Sequence, residues 1–138
     1  MEQDENEHFF DYSEILDRVR ALCLSFPGTS ERISHGAPTF FVAEKKSFVQ
    51  FHNNHHNDGK VALWCAAPEG MQAQLIESDS AVYFRPGYVG HLGWIGVRLD
   101  RDAEWHDLVG VIQDAYLTKA PKKLLVDLKR SLGYFLKE

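Results

Sequence analysis

Phe84-Arg85-Pro86-Gly87-Tyr88-Val89-Gly90-His91-Leu92-Gly93-Trp94-Ile95-Gly96-Val97-Arg98 is the stretch on which the reading of this chain turns. It holds four of the ten glycines and one of the three tryptophans. On its two sides stand Ala81-Val82-Tyr83-Phe84 and Ile95-Gly96-Val97-Arg98-Leu99, apolar and rich in β-formers, so each flank reads as a strand. A glycine loop that cradles a dinucleotide runs from a strand straight into a helix, whose N-terminus meets the pyrophosphate. Here a strand follows instead, and Gly87, Gly90, Gly93 and Gly96 recur at every third position. The segment is therefore a strand-to-strand connection of unusual shape, which directs the fold away from a parallel, nucleotide-binding sheet.

Working outward, Lys46-Ser47-Phe48-Val49-Gln50-Phe51-His52 alternates as a strand, with Phe48 and Gln50 on one face and Val49 and Phe51 on the other. A polar tip containing Asp58-Gly59 returns it into Lys60-Val61-Ala62-Leu63-Trp64-Cys65-Ala66, making an antiparallel hairpin. Upstream, Ile33 lies in a short extended run before a glycine-proline interruption at Gly36-Pro38, and Phe40, Phe41 and Val42 form a further one. Ile15, Leu16, Val19, Leu22, Cys23 and Phe26 recur at helical spacing behind Ser13, the expected N-cap, and Pro27-Gly28 ends that helix.

Pro68 is expected to open a short helix through Met71, Leu75 and Ile76. Asp102 is expected to cap a longer one carrying Trp105, Leu108, Ile112, Ala115 and Tyr116, which Pro121 breaks before a last amphipathic helix with Leu124, Leu125 and Leu128. Helices at both ends of segregated antiparallel strands predict an α+β fold: two layers, with about five strands in a twisted sheet and the helices on one face. All 138 residues are read as one domain, residues 1–10 being a frayed acidic lead-in.

The formal net charge of −5 is unevenly spread. Seven acids and no Lys or Arg fall in residues 1–17, while Lys119, Lys122, Lys123, Lys129, Arg130 and Lys137 crowd the other end. A polyanion can use the basic end alone, and strong nonspecific nucleic-acid binding does not fit this balance. The acidic start lacks the basic and apolar regions of a signal peptide, and no run reaches membrane-spanning length. Cys23 and Cys65 sit in apolar runs as buried reduced thiols would. These features give the expectation of a cytoplasmic protein, a monomer or weak homodimer, without membrane association.

Three segments taken in order resemble the MmcQ/YjbR family of small bacterial proteins. They are Pro27-Gly28-Thr29-Ser30-Glu31 with His35-Gly36-Ala37-Pro38-Thr39-Phe40, the glycine-rich stretch itself, and Ala120-Pro121-Lys122-Lys123-Leu124. The resemblance implies a two-layer α+β fold similar to the frataxin-like and secretion-chaperone-like folds. It also implies a DNA-binding role through a double-wing arrangement, with no settled enzymatic activity. Glu44-Lys45-Lys46 lacks the glycine the family pattern would place before the strand, and the histidine-rich hairpin tip is a second departure.

Among candidate binding residues, Arg85 suits a bidentate phosphate or carboxylate contact, Tyr88 and Trp94 suit stacking, and His91 can exchange a proton near neutral pH. Trp94 is equally read as an anchor that packs across the sheet. His35 either bonds its own turn or joins His91 and Arg85 in one cleft, and Lys122 and Lys123 supply phosphate contacts. No cofactor is implied. His52, His55 and His56 lack the fourth ligand of a closed zinc site, so they read as a solvated turn that picks up metal weakly. Asp11, Glu14 and Asp17 are placed as the iron-binding acids of a frataxin-like first helix would be, but carboxylates there also suit the helix dipole. No nucleophile elbow is present, and neither cysteine has a basic sequence neighbour to depress its pKa. The leading expectation is a noncatalytic nucleic-acid binder, the alternative a module for a small molecule or protein partner.

Overall fold

The computed structural model describes residues 12–137. The acidic lead-in and Asp11 lie outside the described residues. Helix α1 (Tyr12–Ser25) leads into strands β1 (Thr29–Ser34), β2 (Ala37–Val42), β3 (Lys46–Asn53) and β4 (Val61–Cys65). Helix α2 (Met71–Ser78), strands β5 (Tyr83–Phe84) and β6 (Ile95–Arg98), and helices α3 (Trp105–Lys119) and α4 (Lys122–Lys137) complete the order. The strands form one antiparallel sheet in the order β1-β2-β3-β4-β6-β5. The expected α+β architecture is therefore present, with six strands rather than about five.

The extra strand arises at His35-Gly36. These residues take φ of 52° and 79°, the pair of positive values that a tight two-residue hairpin requires. Gly36 thus reverses the chain where an interruption was expected, and β1 pairs along its whole length, from Thr29↔Val42 to Ser34↔Ala37.

Strict alternation along β3 also fails, for a local reason. Phe40 pairs with Val49 but Phe41 pairs with Ser47, which leaves Phe48 as an extra residue in a β-bulge. The bulge turns Phe48 to the same side as Val49. Phe48 meets the ring of Tyr116 from α3 at 5.8 Å, while Val49 pairs with Cys65, itself beside Cys23 of α1. Both are wholly buried under the helices. Gln50 and His52 are left on the opposite face, with Trp64.

The core lies between the sheet and α1 and α3. Val19 and Cys23 from α1, Leu63, Cys65, Ile95 and Val97 from the sheet, and Leu108, Ile112, Ala115 and Tyr116 from α3 fill it. Burying such side chains contributes roughly 1.5–3 kcal/mol each. Tyr116 also stacks on Phe26 at 4.6 Å and donates its hydroxyl to the Pro27 carbonyl at 2.8 Å, joining the end of α1 to α3. Both thiols are free, and burial pushes each well above the ordinary cysteine range, so neither is a thiolate at neutral pH.

Three helix starts differ from expectation. Ser13 lies inside α1 rather than ahead of it. Pro68 belongs to a turn whose carbonyl accepts from Met71, and α2 begins there, after Gly70. Asp102 has φ of 62°, incompatible with the extended N-cap conformation, and Glu104 occupies that position. Pro121 does separate α3 from α4, holding Ala120 extended as the residue before a proline must be. Among the described residues no helix is long and apolar enough to cross a membrane.

Candidate nucleic-acid interface

On the sheet face away from the helices, the glycine-rich stretch folds back over β4 and β6. Residues Gly90–Leu92 form one 3-10 turn, closed by Gly93 at φ 91°. The other glycines serve close approach instead. A Cβ on Gly90 would stand 2.7 Å from the Arg85 stem, and one on Gly96 would enter the ring of Phe84. Gly87 passes over the indole of Trp64. Gln72 of α2 holds the far side, its amide donating to the carbonyls of Gly90 at 2.9 Å and Trp94 at 2.6 Å. Replacing Gln72 with alanine leaves both carbonyls without that donor. The expected result is a loss of about 2 kcal/mol in denaturant unfolding, with faster amide exchange confined to residues 85–94.

Beneath this loop is a ladder of rings. His52 lies 3.8 Å from Trp64 between ring centres, His55 stands edge-on to both at 4.8 Å, and His56 stacks on His55 at 4.1 Å. Tyr88 closes the ladder edge-on, 5.8 Å from His55 and 6.2 Å from His56. Its ring is 71 % exposed. His52 is buried, and desolvation together with neighbouring His55 pulls its pKa down to about 4 against a smaller pull up from Asp58. Its Nε2 faces Gln50 Oε1 at 3.0 Å, as a neutral ring donating from Nε2 would. Desolvation and then His56 also lower His55.

Around the ladder opens a cleft of about 350 Å3, bordered by His55, His56, Asp58, Lys60, Phe84, Arg85 and Tyr88 with Trp64 in its floor. Lys60 reaches over the Phe84 ring at 5.1 Å. The indole N–H of Trp64 is buried without an acceptor among the described residues. His56 and Tyr88 hold φ of 49° and 53°, a left-handed backbone that costs such side chains energy and that concentrates at ligand-facing positions. The cleft therefore presents two cations, Lys60 and Arg85, and one carboxylate, Asp58, beside exposed aromatic rings, a net positive lining suited to a planar ligand that carries negative charge.

Arg85 and Tyr88 are thus brought together. His35 borders a second cleft, of about 240 Å3, which meets the first at His55. His91 stands exposed on the 3-10 turn and borders neither, so His35, His91 and Arg85 do not share one cleft. Trp94 is 4 % exposed and acts as the loop's anchor. Lys119 lies 6.0 Å over its ring, which brings the basic corner between α3 and α4, with exposed Lys122 and Lys123, to the far end of the same loop. Sequence reasoning missed Lys60 and Gln72. Lys60 had a signal, since it follows the hairpin turn beside three histidines, but Gln72 is a lone polar residue 18 positions from its first partner.

The histidines stack on one another instead of converging. Among the described residues no group of three or more His, Cys, Asp or Glu is placed to hold a metal ion. Asp17 of the acidic first helix is engaged by Arg20 at 2.7 Å, and Arg20 also grips Glu31 of β1 with two nitrogens.

An antiparallel sheet with helices on one face and a ring-lined cleft on the other defines a small α+β domain. A family model described as YjbR matches residues 24–118, and the chain belongs to that family. The fold is similar to the crystal structure of Deinococcus radiodurans protein DR2400, which carries a DUF419 domain, with a TM-score of 0.64. That similarity covers 75 % of this chain and 76 % of the other at 16 % identity. No curated protein matches the sequence.

Proposed function

We propose that this protein is a noncatalytic module that binds unpaired nucleic acid, DNA foremost, at the cleft between the hairpin tip and the glycine-rich loop. The observation that carries the reading is the grouping of Lys60 and Arg85 with exposed Tyr88 and His56 around one opening. Bases stack on such rings irrespective of sequence, and the two cations take the backbone. The strand then leads along the loop toward Lys119, Lys122 and Lys123. Because the whole chain is acidic, affinity rests on these few cations and stays modest.

Fluorescence anisotropy with a labelled single-stranded oligonucleotide tests this. Binding is expected at low salt, weakening as salt rises with a slope set by a few phosphates. Tyr88→Ala should weaken it about ten-fold, from a stacking contribution of ~1–3 kcal/mol per base. Removing both charges, Lys60→Gln with Arg85→Gln, should flatten the salt dependence. Absence of binding to either DNA or RNA at low salt overturns the proposal.

A further inference from the structure

Trp64 belongs to the interior strand β4, and its indole forms the floor of the ring-lined cleft. The residue is 3 % exposed, and its Nε1–H is closed off from water with no acceptor among the described residues. A buried donor left unpaired costs free energy, and native chains rarely keep one without a use for it. The rings beside it do not serve. An indole N–H lies in the plane of its own ring, whereas His52 lies across the indole face at 3.8 Å and 34°, its Nε2 already engaged by Gln50. His55 stands at 72° to the indole and accepts nothing from it.

A ligand reaches this N–H only when part of its cover moves. The half-buried ring of His55 is free to do so, because it borders both the ring-lined cleft and the smaller cleft beside His35, and the smaller one has room to receive it. The floor then offers one donor and no acceptor. A base on a strand enters with the edge farthest from its sugar, which is position 4 of a pyrimidine and position 6 of a purine. Thymine, uracil and guanine carry a carbonyl there, while cytosine and adenine carry an amino group. The carbonyl pairs with the Trp64 N–H, whereas the amino group sets donor against donor.

We infer that the cleft selects keto bases, and that Trp64 is the residue that reads them, donating from Nε1 to the base carbonyl. This rests on the nucleic-acid reading of the same cleft and adds what that reading lacks. Stacking on Tyr88 and charge from Lys60 and Arg85 hold any strand alike. Only the buried indole N–H distinguishes one base from another.

Anisotropy titration of the full chain with oligothymidylate and oligodeoxycytidylate of equal length, at neutral pH and low salt, tests it. The backbones are identical, so the phosphate contribution cancels. Thymine strands are expected to bind about ten-fold tighter, the scale of one donor paired instead of stranded, with the same salt dependence. Trp64→Phe keeps a ring in the floor without a donor, and the ratio between the two strands should fall to about one. That ratio, unlike the affinity itself, is not moved by a general loss of stability. An oligonucleotide of 2-pyrimidinone bases, which carry nothing at position 4, asks the same of the unaltered protein and decides the matter if Trp64→Phe does not fold. It should lose most of the advantage of thymine. Equal affinity for thymine and cytosine strands overturns the inference while leaving the binding reading in place, and no binding to any strand overturns both. A thymine preference that survives in Trp64→Phe, or 2-pyrimidinone binding as tight as thymine, also overturns it.

Discussion

Gly96→Val is expected to destabilise the protein by about 3 kcal/mol, the upper range for forcing volume into a packed position. Gly96 sits in β6 between Trp64 of β4 and Phe84 of β5, and the Phe84 ring lies flat where its side chain would be. The sheet backbone beneath cannot retreat, because Ile95 and Val97 on either side are fixed in the core. Only Phe84 can yield, and it belongs to a two-residue edge strand held by few bonds. The variant should therefore lose β5 and release the loop from Arg85 to Trp94 before the rest unfolds. Amide exchange reads that order directly. Phe84→Leu in the same chain frees the space, so the double variant should regain much of the loss. Additive losses in the two variants would show that ring and glycine do not compensate each other.

Stability should fall in acid, chiefly through the buried ring of His52. An unfolded His52 takes up its proton near 6.5, whereas the folded one does so only at about 4. Between those values the unfolded chain binds more protons, and each step down in pH favours it. The contribution is complete above about pH 6.5 and is lost progressively toward pH 4, amounting to about 3 kcal/mol. His55 is lowered as well and acts in the same direction. Urea unfolding at neutral pH and near pH 4.5 measures the difference. His52→Phe keeps a ring on Trp64 but cannot titrate, so its stability should be far flatter over that window. An identical pH dependence in both proteins would remove His52 as the cause.

The elements were largely legible because their signals are local. Helical spacing from Ile15 to Phe26, the stripe from Leu108 to Tyr116 and the break at Pro121 each follow from residues within one or two turns of each other. What went astray depended on pairing. Phe48 is apolar on either face, and only the shift between Phe40 and Phe41 makes it a bulge residue. Gly36 before a proline reads as an interruption until β1 and β2 are seen to pair across it. In the same way Asp102 is a good cap by residue type, and its positive φ rules it out.

The candidate site divides along the same line. Arg85, Tyr88 and the histidine tip stand out in the sequence by type and by their glycine-rich setting, yet 28 residues separate Lys60 from Tyr88, and no periodicity links them. The sequence by itself determined the α+β class, the family and the shape-forming role of the glycine stretch, since these rest on local pattern and motif order. The tertiary structure alone decided that the histidines stack instead of converging on a metal, that Gln72 pins the loop, and that the Trp64 indole lies in the floor of the cleft. Those outcomes depend on strand register and on which sheet face the helices cover, and both are settled by long-range packing rather than by any short run of residues.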